Sequence, residues 1–390
     1  MRNLLAFDLS RRLDMAFTSV GIPVDVILNG EYKGTYQLCD QVEVATGRVE
    51  VQPMTAKDIA LPNLSGGYLV EVDAYAYEEI SWFTSARKYT PVTIKYPKDD
   101  EIVTQQYNYI RDHYNKLENA ILSANYKDPV NGYRKYMDVE SFIRHFLVGE
   151  ISGNTDTYWS VFMYKLRNDD IFKFGPVWDF DIAYENDYRT YPIHTHSQWV
   201  YEYGSSAYGF SDLVTRLFTD ESFVSRLKAI YADYRDRGIL TKEALLQVVD
   251  HYAAEINQSQ QLNFMRWDIL NTPVHMNPQT YGSYEGEVDN VKNFISNRMD
   301  WMDNKLGYTP KTGIPEISSR SNVVVYTLAD AICITRVSEP VNVAIADIAG
   351  RIIFSKSVTT DTSITVSKGV YIVTVSDAKG NKKNIKCLIE

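Results

Sequence analysis

One stretch constrains the fold of this chain more than any other, and it runs from His145 to Asp187. Its pattern predicts the end of an amphipathic helix, a polar turn, a strand, a hairpin turn and a second strand. The polar tetrad Gly153-Asn154-Thr155-Asp156 fills the first turn, and Trp178-Asp179-Phe180-Asp181 follows the second strand. Because the two strands of a hairpin lie side by side, we expect both acidic segments at one end of a sheet.

The three carboxylates of these segments, Asp156, Asp179 and Asp181, have two interpretations. Loops held on a rigid scaffold often carry the chemistry of a protein. Alternatively, Asp156 caps a turn, and Asp179 and Asp181 are solvated turn residues. Three acids that converge from two strand ends favour a functional site over three independent turns.

Length and charge restrict the class of protein. With 390 residues the chain is long enough for two or three domains, and its 45% apolar and 23% charged residues are those of a soluble globular protein. The net charge of −10 argues against broad nucleic-acid binding. No apolar run is long enough to span a bilayer.

The first residues do not resemble a signal peptide, because charged residues such as Arg2 and Asp8 interrupt every apolar stretch. For an exported protein we therefore expect the signal upstream of Met1, so that this chain begins as a fragment. Cys39 lies in an apolar strand and is predicted to be a buried small hydrophobe. A disulfide between Cys333 and Cys387 is left open by the sequence.

Residues 1–308 read as a mixture of helices and strands. An Asn29-Gly30 turn joins two strands at 24–28 and 35–38, and a third alternating strand follows at 68–73. Asp138 is a candidate N-cap for the helix from Val139 to about 151, and Thr241 for a later one. Hydrophobic periodicity predicts helices at 3–17, 101–122, 139–151, 210–218, 220–235, 242–263 and 286–306.

The pattern changes after residue 308. Residues 309–319, with Thr309-Pro310-Lys311, are typical of a linker. Residues 320–390 contain seven short apolar runs separated by turns such as Ala349-Gly350, which predicts a small β-sandwich.

Aromatic residues are concentrated between Tyr184 and Tyr208. This segment either packs over the acidic site or forms an exposed surface that stacks on sugars or lines a substrate groove. His194-Thr195-His196 falls inside it, but no third ligand stands at a spacing typical of a metal site.

Three motifs together resemble the CotH (spore coat protein H) family of atypical secreted kinases. Gly153-Asn154-Thr155-Asp156, with Tyr164-Lys165 and Gly175-Pro176-Val177-Trp178-Asp179-Phe180-Asp181, resembles the family signature. Residues 28–36 resemble its L-N-G-x-Y-x-G-x-Y hairpin, and residues 1–13 the helix before it. The resemblance implies an α+β, atypical kinase-like domain over residues 1–308.

The resemblance also implies roles for individual residues. Asp156 would orient or deprotonate the acceptor hydroxyl, Asp179 would hold Mg²⁺ that bridges the phosphates of ATP, and Asp181 would assist as a second metal ligand. Asn154, in the same motif as Asp156, is a cofactor-binding candidate.

The chain departs from the family at two phosphate-handling positions. The strand that carries a lysine in family kinases reads Gly66-Gly67-Tyr68-Leu69-Val70, and Lys95 is the candidate substitute if the fold brings it near; an exposed strand lysine is the alternative. Trp159-Ser160 stands where family kinases place a metal-binding asparagine, so Ser160 becomes the cofactor-binding candidate.

The last strands, with Gly369-Val370-Tyr371-Ile372-Val373, resemble the C-terminal sorting domains of type-nine secretion. This implies export to an extracellular or cell-surface location; an adhesive or spacer sandwich is the alternative.

Two classes of function follow for the whole chain. One is a secreted kinase that transfers phosphate to a Ser or Thr hydroxyl of a secreted or surface protein. The other is a catalytically altered kinase-like module that binds a glycan or a protein partner, and a structural envelope component is a third reading. A lysine or arginine within reach of Asp179 would favour the kinase.

Overall fold

The computed structural model describes residues 1–191, 197–203, 209–309, 323–328, 331–335, 337, 339–377 and 382–389. The chain divides into two compact units, Met1–Pro310 and Lys311–Glu390. The helices of the first unit are α1 Arg2–Arg12, α2 Thr104–Leu122, α3 Val139–Ser152, α4 Ser211–Leu217, α5 Glu221–Asp236, α6 Lys242–Glu255, α7 Asn257–Arg266 and α8 Tyr284–Leu306. Its strands are β1 Gly21–Leu28, β2 Glu31–Cys39, β3 Tyr68–Asp73, β4 Trp82–Thr84, β5 Pro91–Tyr96, β6 Ser160–Lys165 and β7 Phe172–Phe174.

An antiparallel sheet with the strand order β4-β5-β3-β6-β7 organises the first unit. Strands β1 and β2 form a separate hairpin. Helices and antiparallel strands thus occupy different parts of one domain, which confirms the predicted α+β class. The hairpin β6–β7, predicted from the sequence, places the start of β6 and the end of β7 at the same end of the sheet.

Alternation along β3 gives the sheet two different faces. Tyr68, Val70 and Val72 enter the main core, which the helices complete. Leu69 packs in a smaller cluster with Phe162 of β6 and neighbouring residues. Glu71 shares the face of Leu69 and is buried, so this second face becomes polar towards the end of β3.

Helix α3 leads to that polar end. The Asp138 side chain accepts a hydrogen bond from the Ser141 N–H and begins the helix, as predicted. Gly153 ends it in the left-handed conformation, with φ of 60°. The bounds of this helix place the turn at Gly153–Asp156 directly beside the start of β6.

The single helix predicted at 242–263 is wrong, because α6 ends at Glu255 and α7 begins at Asn257. The change of direction allows α7 to pack on the β1–β2 hairpin. Asn263 Oδ1 accepts the Thr35 N–H at 3.0 Å. These tertiary contacts outweigh the continuous helical pattern of the sequence. Helix α1 is also shorter than predicted and ends at Arg12.

The prediction for Cys39 is wrong as well. Cys39 is exposed at the end of β2, because the two-stranded hairpin is too small to cover its last residue. Cys333 and Cys387 are buried and both are free thiols, so they form no disulfide.

The second unit is a β-sandwich, as predicted. Its strands are β8 Val324–Leu328, β9 Ala331–Thr335, β10 Val341–Asp347, β11 Ile352–Val358, β12 Thr362–Thr365, β13 Gly369–Ser376 and β14 Lys382–Ile389. The four-stranded sheet has the order β11-β10-β13-β14 and the three-stranded sheet the order β12-β9-β8. Buried side chains from both sheets, such as Ile332 and Val343, form its core. Of the predicted linker 309–319, residues 310–319 lie outside the described residues.

None of the helices in the described ranges combines the length and the apolar character that a membrane-spanning segment requires.

Candidate active site at the end of the five-stranded sheet

The turn after α3 holds Asp156 in place through its backbone. The Asn154 N–H donates to the Gly149 carbonyl at 3.1 Å, which continues the helix end. The Asp156 carbonyl accepts the N–H groups of Trp159, at 2.9 Å, and Ser160, at 3.0 Å. Asp156 therefore occupies a hydrogen-bonded turn that leads directly into β6.

The segment after β7 reaches the same place. Asp179 has a φ of 61°, which turns the chain sharply at the first acid of the Trp178–Asp181 motif. Asn154 Nδ2 donates to the Asp179 carbonyl at 3.5 Å, and the Tyr184 N–H donates to the Ser152 carbonyl at 2.8 Å. These bonds join the two acidic loops, and Asn154 links them through its side-chain amide.

The carboxyl groups of the two loops influence one another. Desolvation, then a hydrogen bond with Asp181, then the charges of Asp181 and Asp156 raise the pKa of Asp179 to about 7. Asp179 is exposed as a residue, but the neighbouring protein excludes enough water from its carboxyl group to favour the protonated form. The carboxyl group of Asp179, hydrogen-bonded with Asp181, therefore keeps its proton up to near-neutral pH.

No three His, Cys, Asp or Glu side chains in the described ranges cluster closely enough to form a metal site by themselves. The three acids therefore do not amount to a complete ligand shell made by protein alone.

Arg189 forms an ion pair with one of these acids. Its Nη2 donates to Asp156 Oδ2 at 2.8 Å and to Asp187 Oδ2 at 2.6 Å. Asp187 is buried, whereas the side chains of Arg189 and Asp156 are each about one-third exposed. A buried acid thus holds an accessible arginine against Asp156.

Lys95 does not contact the three acids. Its Nζ lies 3.4 Å from Glu71 Oε2 and donates to Glu79 Oε1 at 3.0 Å. Ser160 Oγ donates to Glu71 Oε1 at 3.0 Å and accepts a hydrogen bond from Trp178 Nε1. Among the residues that the structure describes, the hydrogen bonds and ion pairs that link Lys95 to the segment of Asp179 run through Glu71, Ser160 and Trp178.

Glu71 is the buried centre of this network. Desolvation raises its pKa to about 7, against the opposing charge of Lys95. Within the described ranges, no lysine or arginine forms an ion pair or a hydrogen bond with the carboxyl group of Asp179.

The sequence alone assigns no role to Glu71, Asp187 or Arg189. The acids of the β3 strand were visible in the sequence, but their partners come from β5 and β6. Arg189 follows the acidic motif in an irregular segment without periodicity, and nothing in its surroundings indicates its contact with Asp156.

The aromatic segment contributes mainly to packing. Tyr184, Trp199 and Tyr201 are buried in the main core, whereas Tyr188 is exposed. His194-Thr195-His196 and Tyr208 lie outside the described residues. The described part thus offers one strongly exposed tyrosine for a stacking surface rather than a row of them.

Comparison with known proteins finds two family models along the chain. A model described as CotH kinase protein matches residues 1–302. A model described as a secretion system C-terminal sorting domain matches residues 328–390, which indicates a protein sorted for export. No curated protein matches the chain significantly.

Proposed function

The chain belongs to the CotH kinase protein family, and from this membership we propose that it transfers the γ-phosphoryl group of ATP to a Ser or Thr hydroxyl of a protein, in a Mg²⁺-dependent reaction. The observation that carries the proposal is the junction of the two acidic loops, where Asn154 bonds to the backbone of Asp179. In this proposal, Asp156 at the junction serves the acceptor hydroxyl, and Asp179 and Asp181 serve the metal.

The acids of the junction fit Mg²⁺. Asp179 and Asp181 supply hard oxygen ligands. The raised pKa of Asp179 reflects the cost of placing its negative charge beside Asp181, and a bound cation would lower that cost. Mg²⁺ in kinase sites is usually held by one or two carboxylates, phosphate oxygens and water, so a third protein ligand is not required. When bound, Mg²⁺ neutralises charge on the phosphates.

The remaining residues orient the reactants. Asp156 is positioned by its turn to accept a hydrogen bond, and later the proton, from the acceptor hydroxyl. Asn154 fixes the distance between the loops. Lys95 and Ser160 lie at the edge of the site, where Glu71 and Trp178 link them to the segment that carries Asp179. Lys95 is the candidate for a nucleotide phosphate other than the one transferred.

The test is transfer of labelled γ-phosphate from Mg-ATP to the protein itself and to added secreted proteins. Asp156→Asn should abolish transfer, because an amide cannot accept the proton. Asp112→Asn, at an exposed acid on α2, is the matched control and should leave transfer unchanged. Equal transfer by the wild type and the Asp156→Asn variant would refute the assigned base.

A second candidate function is a kinase-like binding module for a glycan or a protein. It is favoured by the lack, within the described ranges, of a lysine or arginine paired with the Asp179 carboxyl group. Such a module would bind its partner without binding Mg-ATP, so a nucleotide titration separates the two functions.

The location proposed for either function is the cell surface or the extracellular space. The C-terminal sorting domain supports it. If the protein is displayed on the surface, protease treatment of intact cells of its native host should degrade it. Resistance of the protein to such treatment, together with its absence from the medium, would contradict this location.

A further inference from the structure

Arg189 is held more firmly than an ordinary surface arginine. Its Nε lies 3.0 Å from each carboxylate oxygen of Asp187, and its own N–H donates to Asp187 Oδ1 at 2.9 Å. Asp187 is fully buried, and its carbonyl accepts the N–H groups of Thr190 and Tyr191. The guanidinium is therefore oriented before any ligand arrives.

Part of this guanidinium is unused. A guanidinium has five N–H donors. Nε and Nη2 bind Asp187 and Asp156, whereas Nη1 has no hydrogen-bond partner among the residues that the structure describes. With the side chain about one-third exposed, the two N–H groups of Nη1 are available to an anion that enters beside Asp156.

Arg189 is also the one lysine or arginine in the described ranges that forms an ion pair with any of Asp156, Asp179 and Asp181. Lys95 is already paired with Glu71 and Glu79. Strand β3 offers no lysine at its start. The positive charge nearest to the proposed base therefore comes from the segment after the acidic motif.

We infer that Arg189 is the cation that binds the phosphoryl group to be transferred, with Nη1 contacting that group while Nη2 remains on Asp156. The inference rests on the proposed kinase function and names the residue that replaces the missing β3 lysine. Arginine suits the role because its rigid fork can bind one anion while it is anchored by another. Asp187 acts as a positioning residue for it.

The same contact aligns the reaction. One guanidinium that touches both Asp156 and the phosphoryl group keeps the base and the transferred group adjacent. The proton of the acceptor hydroxyl goes to Asp156, the hydroxyl oxygen forms the new bond to phosphorus, and the bond to the β–γ bridging oxygen of ATP breaks, which leaves ADP.

The test is a calorimetric titration of the full chain with Mg-ATP and with Mg-pyrophosphate. Arg189→Gln should weaken binding of both ligands about tenfold or more, as expected for the loss of a charge-assisted hydrogen bond. Arg189→Lys should lose less, because it keeps the charge. Arg226→Gln, at an exposed ion pair with Glu140, is the control and should bind as the wild type does.

Loss of Arg189 leaves the buried Asp187 unpaired and lowers stability, so a second variant separates folding from binding. Arg189→Gln combined with Asp187→Asn removes the unpaired charge. A phosphate-binding role predicts that this double variant regains thermal stability without regaining affinity for pyrophosphate. Recovery of both would show a purely structural role and overturn the inference.

The outcomes also separate the inference from the proposed function. If wild type and Arg189→Gln bind Mg-ATP equally, the inference fails and the kinase proposal stands. If the wild type binds pyrophosphate through Arg189 but not ATP, the inference stands and the nucleotide is wrong. If the wild type binds neither ligand, both are overturned.

Discussion

Glu71 shows how burial controls protonation beside the candidate site. Its carboxyl group is buried at the polar end of β3, between Lys95 and Ser160, and its pKa rises from an ordinary 4.5 to about 7. Between these two pH values the folded protein keeps a proton that the unfolded chain has lost. Unfolding therefore becomes easier as the pH rises through this window.

The prediction is that Glu71→Gln flattens this pH dependence. Between pH 4.5 and pH 8, the wild type should lose about 2–3 kcal/mol more of its unfolding free energy than the variant does. Urea unfolding at several pH values measures it. Glu79→Gln, which removes the more exposed carboxylate from the same lysine, is the control. A difference independent of pH would contradict the assigned cause.

Some site residues were predictable and others were not. Asp156, Asp179 and Asp181 stand beside turns of one local hairpin, so their proximity follows from sequence spacing. Arg189 meets Asp156 across 33 residues of irregular chain, which no periodicity encodes. The resemblance indicates Ser160 in place of an asparagine, but its hydrogen bond to Glu71 depends on the pairing of β3 with β6.

Helix α3 is the element that positions the acidic loops, and its last turn is unusually constrained. A Cβ on Gly153 would lie 2.6 Å from Cζ of Phe294, and φ is positive there. Gly307 ends α8 in the same left-handed conformation, with φ of 68°, but nothing lies within 4 Å of its missing Cβ. The two glycines therefore share the left-handed conformation and differ in the contact with Phe294, so Gly307 is the control for Gly153.

We expect Gly307→Ala to cost about 1–2 kcal/mol, the cost of the left-handed conformation for a residue with a Cβ. Gly153→Ala should cost that amount and about 1–3 kcal/mol more, since Phe294 must move. Chemical denaturation compares them. Equal losses would mean that Phe294 does not restrain the turn that carries Asn154 and Asp156.

A fully buried ion pair ties α3 to α8. Arg298 Nη2 donates to Glu150 Oε2 at 2.8 Å, and both side chains are completely buried. Glu150 Oε1 also accepts the hydroxyl of Tyr158, in the loop before β6. Hydrogen bonds to Glu150 therefore connect both α8 and the loop before β6 to the end of α3, where the turn of the candidate site begins.

Glu150→Gln should cost about 3–5 kcal/mol, because it breaks a fully buried ion pair by removing the charge of one partner. Glu140→Gln, on the same helix, breaks an exposed ion pair with Arg226 and should cost about 1 kcal/mol or less. Denaturant midpoints of the two variants measure the difference. Similar midpoints would indicate that water or another group compensates Arg298.

At the scale of elements, most of the fold could be read from the sequence. The hairpins, the capped helix α3 and the strands of the C-terminal sandwich follow from local periodicity and turn residues. The break between α6 and α7 could not be predicted, because it arises from the docking of α7 on β2. The exposure of Cys39 likewise depends on how little covers the β1–β2 hairpin.

The whole molecule consists of two folded units, and each matches a different family model. The kinase-like unit carries every described residue of the candidate site, and the sandwich matches a sorting domain. The central claim concerns the first unit, namely that its acidic junction binds Mg²⁺ and a nucleotide. Fold and family membership support that claim, and ligand binding tests it.

The most direct measurement is thermal unfolding of the full chain with and without Mg-ATP, beside Asp179→Asn. A ligand that binds only the folded state adds about 2.7 kcal/mol of stability at a hundredfold excess over its dissociation constant. The account predicts a rise in the wild-type melting temperature with Mg-ATP and no rise in the variant. An unchanged wild-type melting temperature at millimolar Mg-ATP would contradict it.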